Sequence, residues 1–199
     1  MATKVGICNM ALAHLGHGQY VTDIDTEQSA EAKVSRIFYD SALEAILRDY
    51  TWPFATRFMA LALIEEDPTD EWGYSYRYPN DCLFVRRIFS GQRNDNSDSR
   101  VRYIVSSDEA GVMIYADSVE AEIEFTSKMT NPGLFPADFS LALSYRLAAY
   151  IAPTLARDSN LAKECYALYQ YHSGRALANG KNEEQKDRQT ESDLILARE

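Results

Sequence analysis

Apolar residues recur at helical spacing in the first and last thirds of this chain, and at every second position in between. Val5, Cys8, Leu12 and Leu15 lie on one helical face, with Gly16 as a stop, and predict a first helix over about 4–15. Asp25 followed by Gln28 has the form of a capping box. A long second helix is expected after it, with a broad face of Ala30, Val34, Ile37, Phe38, Ala42, Ile46 and Tyr50. Glu44 and Arg48 make a favourable pair four residues apart on its polar side, and Pro53 ends it at or before Trp52.

Residues 54–64 form a short apolar run that fits a helix or a strand equally. Glu65-Glu66-Asp67-Pro68 reads as a closing turn. From Trp72 the period changes to two, with Tyr74, Tyr76 and Tyr78 alternating with small or polar residues. Strands are expected over 82–89, 101–106, 111–116 and 120–127. The last places Ala121, Ile123 and Phe125 inward and its glutamates outward. Asp108 to Gly111 and Asp117-Ser118 look like hairpin turns, and 91–99 is a polar loop.

Helical spacing returns over 137–156, through Phe139, Leu143, Leu147, Tyr150, Ile151 and Leu155. Pro136 is expected as its first residue, and Pro153 should kink it. Asp158 or Ser159 caps a last helix with Leu161, Cys165, Leu168, Tyr169, His172 and Ala176 on one face, fading near Gly180. The expected fold is therefore α+β. Residues 1–64 and 132–180 form an antiparallel helical bundle, 65–131 an inserted small antiparallel β unit, and 181–199 an extended C-terminal tail.

Charge narrows the function. Lys and Arg number 20 against 30 Asp and Glu, a net charge of −10. Tight DNA binding and docking on anionic membrane both need a basic surface, and the longest basic cluster is Arg86-Arg87. No run of about 18 apolar residues is present, and the opening residues do not resemble a secretory signal. Cys8, Cys82 and Cys165 are far apart and set among apolar neighbours, as suits buried thiols in a reducing compartment.

Catalytic chemistry finds little to stand on. No phosphate-binding glycine loop, nucleophile elbow or zincin motif occurs. His14 and His17 straddle a helix end without further ligands nearby, so no metal and no cofactor are expected. Cys165 and His172 share a helix face, as a nucleophile pair would, but both fit the core periodicity. Glu65, Glu66 and Asp67 supply a carboxylate cluster of the kind a glycosidase needs, and a solvated turn explains them as well. The aromatic run Trp72, Tyr74, Tyr76 suits a subunit interface or a packed arm better than a base-stacking platform, because lysines are lacking around it. Leu194, Ile195 and Leu196, at the end of a charged tail, suit a segment that docks on a partner.

Several segments together carry a resemblance. They are Ala11-Leu12 to Leu15-Gly16, then Tyr50-Thr51-Trp52-Pro53-Phe54-Ala55, then Leu61-Ala62-Leu63. Tyr76-Arg77-Tyr78-Pro79-Asn80-Asp81-Cys82-Leu83 and an Ala-rich helix pair with a charged tail follow. In this order the chain, over roughly 3–199, resembles the head-to-tail adaptors of short-tailed bacteriophages, the tail tubular protein A family. The resemblance implies a structural protein of the virion neck, assembled in the host cytoplasm, and not an enzyme. Twelve copies would form a ring joining the portal protein to the tail nozzle protein, with genome DNA passing through the lumen unbound.

It further implies that Leu194, Ile195, Leu196 and Arg198 anchor the tail in the portal. Trp72, Tyr74, Tyr76, Asn94, Asp95, Asp108 and Glu109 would then face the nozzle or a neighbouring subunit. A virion-borne peptidoglycan hydrolase using a carboxylate pair and a stand-alone helical interaction domain are the alternatives. An acidic lumen would let DNA slide without sticking.

Overall fold

The computed structural model describes residues 2–18, 20–91 and 100–182. Helices α1 (Lys4–His14), α2 (Ala30–Asp49), α3 (Ala137–Leu155) and α4 (Ser159–Asn182) form the bundle. Helix α3 packs against the other three and is buried almost all round. Its small residues Ser140, Ala142, Ser144, Ala148 and Ala152 let neighbours approach, while Phe139, Leu143, Leu147 and Ile151 fill the core.

The caps refine the expected starts. Thr3 caps α1 by accepting from the Gly6 N–H at 3.0 Å. Helix α2 starts after Ser29, whose Oγ accepts from the Ala32 N–H at 3.2 Å, and not at the expected Asp25–Gln28 box. The preceding segment is held in its own turn, where Asp23 accepts from the Asp25 N–H and Glu27 from the Thr22 N–H. Arg36 fastens it by donating from Nε to the Ile24 carbonyl at 2.8 Å. Pro136 is the N-cap of α3 rather than its first residue, its carbonyl accepting from the Ser140 N–H at 2.9 Å. Pro153 lies in the last turn, and the helix runs on past it to Leu155, the Ala156 N–H donating to the Ala152 carbonyl at 2.9 Å. Two residues expected inside lie outside: Ile37 is 66% exposed and Leu168 36%.

The β portion begins at Thr56, not at 65. The ambiguous run resolves into a 3₁₀ turn (Pro53–Ala55), strand β1 (Thr56–Ala60) and the start of β2 (Leu63–Thr69). Glu65, Glu66 and Asp67, expected in a turn, therefore lie within β2. The turn comes at Asp70-Glu71, before β3 (Trp72–Arg77). Strands β4 (Cys82–Ile88), β5 (Tyr103–Asp108), β6 (Gly111–Ala116) and β7 (Glu122–Ser127) follow.

The strands form two antiparallel sheets, ordered β1-β7-β4 and β2-β3-β6-β5. The chain changes sheet at Leu61-Ala62, at 78–81, between β4 and β5, and at 117–121. Between the sheets lie Leu61, Tyr76, Val85, Ile88, Ile114, Ala116, Ala121, Ile123 and Phe125. The expected inward alternation of Ala121, Ile123 and Phe125 is present.

A dense junction joins the β unit to the bundle. Trp52 is buried, donates from Nε1 to the Ile46 carbonyl at 2.7 Å, and meets Phe139 edge-on. Arg86 reaches across with three bonds. Its Nε donates to Thr126 Oγ1 at 2.9 Å, and one terminal nitrogen donates to the Tyr50 and Leu47 carbonyls at 2.7 and 3.3 Å. The guanidinium thus serves carbonyls at the C-terminus of α2, where a cation also suits the helix dipole. Ser127 Oγ donates to the Ala55 carbonyl at 3.1 Å, and Lys128 pairs with Glu44. Glu44 is therefore turned away from Arg48, which lies over the Phe84 ring instead.

Candidate assembly surface

Strand β3 carries the aromatic run at the centre of the four-stranded sheet. Tyr76 is core: it is 1% exposed, and its hydroxyl donates to the Ser118 carbonyl at 2.5 Å. Burial pushes its phenol above the ordinary tyrosine value. That removes it from the expected contact surface. Tyr74, half-buried, leans on Tyr76 with ring centres 6.3 Å apart. Trp72 is half-buried, and the Arg102 guanidinium lies 4.4 Å from its ring centre. Arg102 is held there by Asp117 at 3.5 Å and Glu71 at 3.7 Å, so one ring face is already stacked. An open hollow lies beside it, lined by Thr69, Asp70, Trp72, Ile104, Ser106 and Tyr115.

Asp108 and Glu109 stand at the β5–β6 turn. Asp108 receives a two-pronged bond from Arg77 at 3.2 and 3.3 Å, which holds its carboxyl below the usual carboxylate value. Glu109 is exposed. Asn94 and Asp95, and the tail anchors Leu194, Ile195, Leu196 and Arg198, lie outside the described residues.

The structure shows a surface that the sequence did not. Phe58 (60% exposed), Met59, Leu63 (50%) and Ile64 lie along β1 and β2, which form one border of both sheets. Ile104 and Val105 are exposed on β5, the opposite border of the larger sheet. Among the described residues no strand pairs with the outer edge of β2 or of β5. The signal was present in the sequence as an apolar run closed by three acids and a proline, a pattern of guarded edge strands.

The other candidates resolve into structure. His14, Tyr145 and His172 stack as three near-parallel rings from α1, α3 and α4, with centres 3.8 and 4.9 Å apart. Burial, and then His172 nearby, lowers the His14 pKa; its Nε2 meets Ser144 Oγ at 3.0 Å. His17 faces Glu31 at 3.7 Å. Among the described residues no group of three His, Cys, Asp or Glu is placed to hold a metal. Burial raises the Cys165 thiol, the opposite of what a nucleophile needs. Glu65 and Glu66 are successive strand residues whose side chains alternate between faces, unlike a facing carboxylate pair. Arg86 is committed to the α2 junction, and Arg87 to Glu124 at 2.6 Å. Among the described residues no helix is long and apolar enough to cross a membrane.

A small cavity of about 90 Å³ lies near the end of α4, lined by Trp52, Phe54, Pro136, Phe139, Ala176 and Gly180.

Fold and surface together define an α+β protein, a helical bundle carrying a two-sheet β unit with open borders. No family model matches this chain, and neither does any curated protein.

Proposed function

We propose that this protein is a structural adaptor of a phage neck, a ring-forming subunit that joins the portal protein to the tail nozzle protein around the path of the DNA. The reading rests on the resemblance set out above. The observation that supports it best is where the resembling segments lie. Trp52-Pro53-Phe54-Ala55 turns the chain out of α2 into β1, and packs Trp52 and Phe54 against Phe139. Tyr76 to Leu83 spans the passage from one sheet to the other. There the Asp81 carboxylate pairs with Arg57 at 2.9 Å and its carbonyl accepts from the Lys128 N–H at 2.7 Å. Both segments thus shape the junction that sets the β unit on the bundle, which an adaptor touching different partners at its two ends must hold rigid.

In this reading residues 181–199 form the arm that docks in the portal, with Leu194, Ile195 and Leu196 as apolar anchors and Arg198 as a charged one. Trp72, Tyr74, Asp108 and Glu109 belong to the end that meets the nozzle or a neighbour. Deleting residues 187–199 tests the arm. Loss of attachment to purified portal particles, with the helical circular dichroism retained, is the expected result. Attachment at wild-type level would overturn it.

A further inference from the structure

We propose that neighbouring copies join edge to edge, β2 of one copy pairing antiparallel with β5 of the next, so that the larger sheets run on from subunit to subunit. The pairing surface is argued from the sheet borders alone, although a ring is also part of the adaptor reading. Three features of the borders carry it.

The first is direction. The larger sheet has the order β2-β3-β6-β5, and every neighbouring pair in it is antiparallel. With this even strand number, β2 and β5 run in opposite directions. A rotation about an axis lying along the strands therefore brings β2 of the next copy antiparallel to β5, the stronger kind of ladder. Contacts between two different patches build rings when the rotation closes.

The second is charge. An antiparallel ladder sets the end of β2, with Glu66 and Asp67, beside the start of the neighbour's β5, preceded by the exposed Arg100 and by Arg102, which already pairs with Glu71 and Asp117 of its own copy. A parallel ladder would set the same acids beside Asp108 and Glu109. Two β2 edges meeting each other would confront Glu65, Glu66 and Asp67 with their own copies. The charges favour this arrangement over a parallel ladder and over two β2 edges meeting each other.

The third is apolar surface. Leu63 and Ile64 on β2, and Ile104 and Val105 on β5, are each between 39% and 50% exposed, and would be covered by the pairing. Pro68 and the left-handed Asp67 (φ 46°) confine the ladder to the first half of β2. An edge guarded in this way resists indiscriminate strand addition and still accepts one complementary partner.

The test exchanges the charges. Sedimentation velocity of the full chain should show association that increases with concentration. Glu65→Lys with Glu66→Lys on β2 should weaken it about tenfold, and so should Arg100→Glu before β5. A one-to-one mixture of the two variants should associate again, because each now offers the edge that the other lacks. Circular dichroism of each variant confirms that it is folded. A wild-type protein that stays monomeric at 1 mM (roughly the range of weak pairing) would overturn the proposal, as would variants that associate like wild type or a mixture that stays apart. Loss of portal binding with self-association intact would instead overturn the adaptor reading and leave this one standing.

Discussion

Arg86 links the two halves of the fold through a single side chain. Its guanidinium is half-buried, and burial lowers its pKa without discharging it. Replacing it with Met leaves the Tyr50 carbonyl and Thr126 Oγ1 without their donor, and should cost about 2 kcal/mol in urea unfolding. Arg86→Lys should recover little of that loss, because an ammonium cannot span the same fork. In the sequence Arg86-Arg87 was visible only as a small basic cluster. Its use was hidden because both partners, the end of α2 and β7, are distant along the chain.

A second residue-scale prediction concerns pH. His14 is buried against Tyr145 and His172, with its pKa below the unfolded value of 6.5, so the fold favours its neutral form. This contribution is complete above about pH 6.5 and is lost as the pH falls through the lower folded value. Urea midpoints should therefore drop between pH 7 and pH 5, and His14→Phe, which keeps a ring in the stack, should reduce that drop. Parallel pH profiles for the two proteins would argue against the stack as the cause. In the sequence His14 and His17 were a pair without further ligands; the stack itself spans three helices and had no local signal.

At the scale of elements, the helical period located α1, α3 and α4 well, because one face of each repeats along several turns. It was less reliable about which side of a broad face is covered. Ile37 belonged to the apolar stripe of α2 by spacing, yet it lies on the flank that no neighbour covers, whereas Ile46 is fully buried. Ile46→Ala should thus cost about 3 kcal/mol, and Ile37→Ala less than about 0.5 kcal/mol, in the same unfolding measurement. Nearly equal costs would mean that α2 is buried differently.

The strands were harder to place for a physical reason. β1 and β2 are edge strands with both faces partly open, so they lack the inside–outside alternation that made β7 legible. Their acids and proline, which resemble a turn, sit in the second strand itself.

Another element-scale test uses Asp49 at the end of α2. It accepts from Tyr169 on α4 and pairs with Arg146 on α3, so it ties three helices together. Asp49 is 39% exposed on its side chain, so its share is moderated by solvent. Asp49→Asn should lower stability by about 1–2 kcal/mol, checked by thermal unfolding at pH 7. A Tm equal to that of the native protein would show that the Arg146–Tyr150 bonds suffice alone.

For the whole molecule, the division into helices and inserted sheets was legible in the order of the two periods, three residues and a half against two. The open borders were not, because an unpaired edge is a property of neighbours and of absent neighbours. The net charge of −10 keeps its bearing on function. Among the described residues the Arg86-Arg87 cluster is committed to internal bonds, so under the adaptor proposal DNA passes this protein without a binding site on it. Under the same proposal, the surfaces for protein partners are the β borders and the C-terminal arm. Electron microscopy of the full chain mixed with purified portal rings tests this most directly. An added ring of density coaxial with the portal, on its tail-facing side, is the expected result; portals left bare at saturating protein would overturn the adaptor proposal.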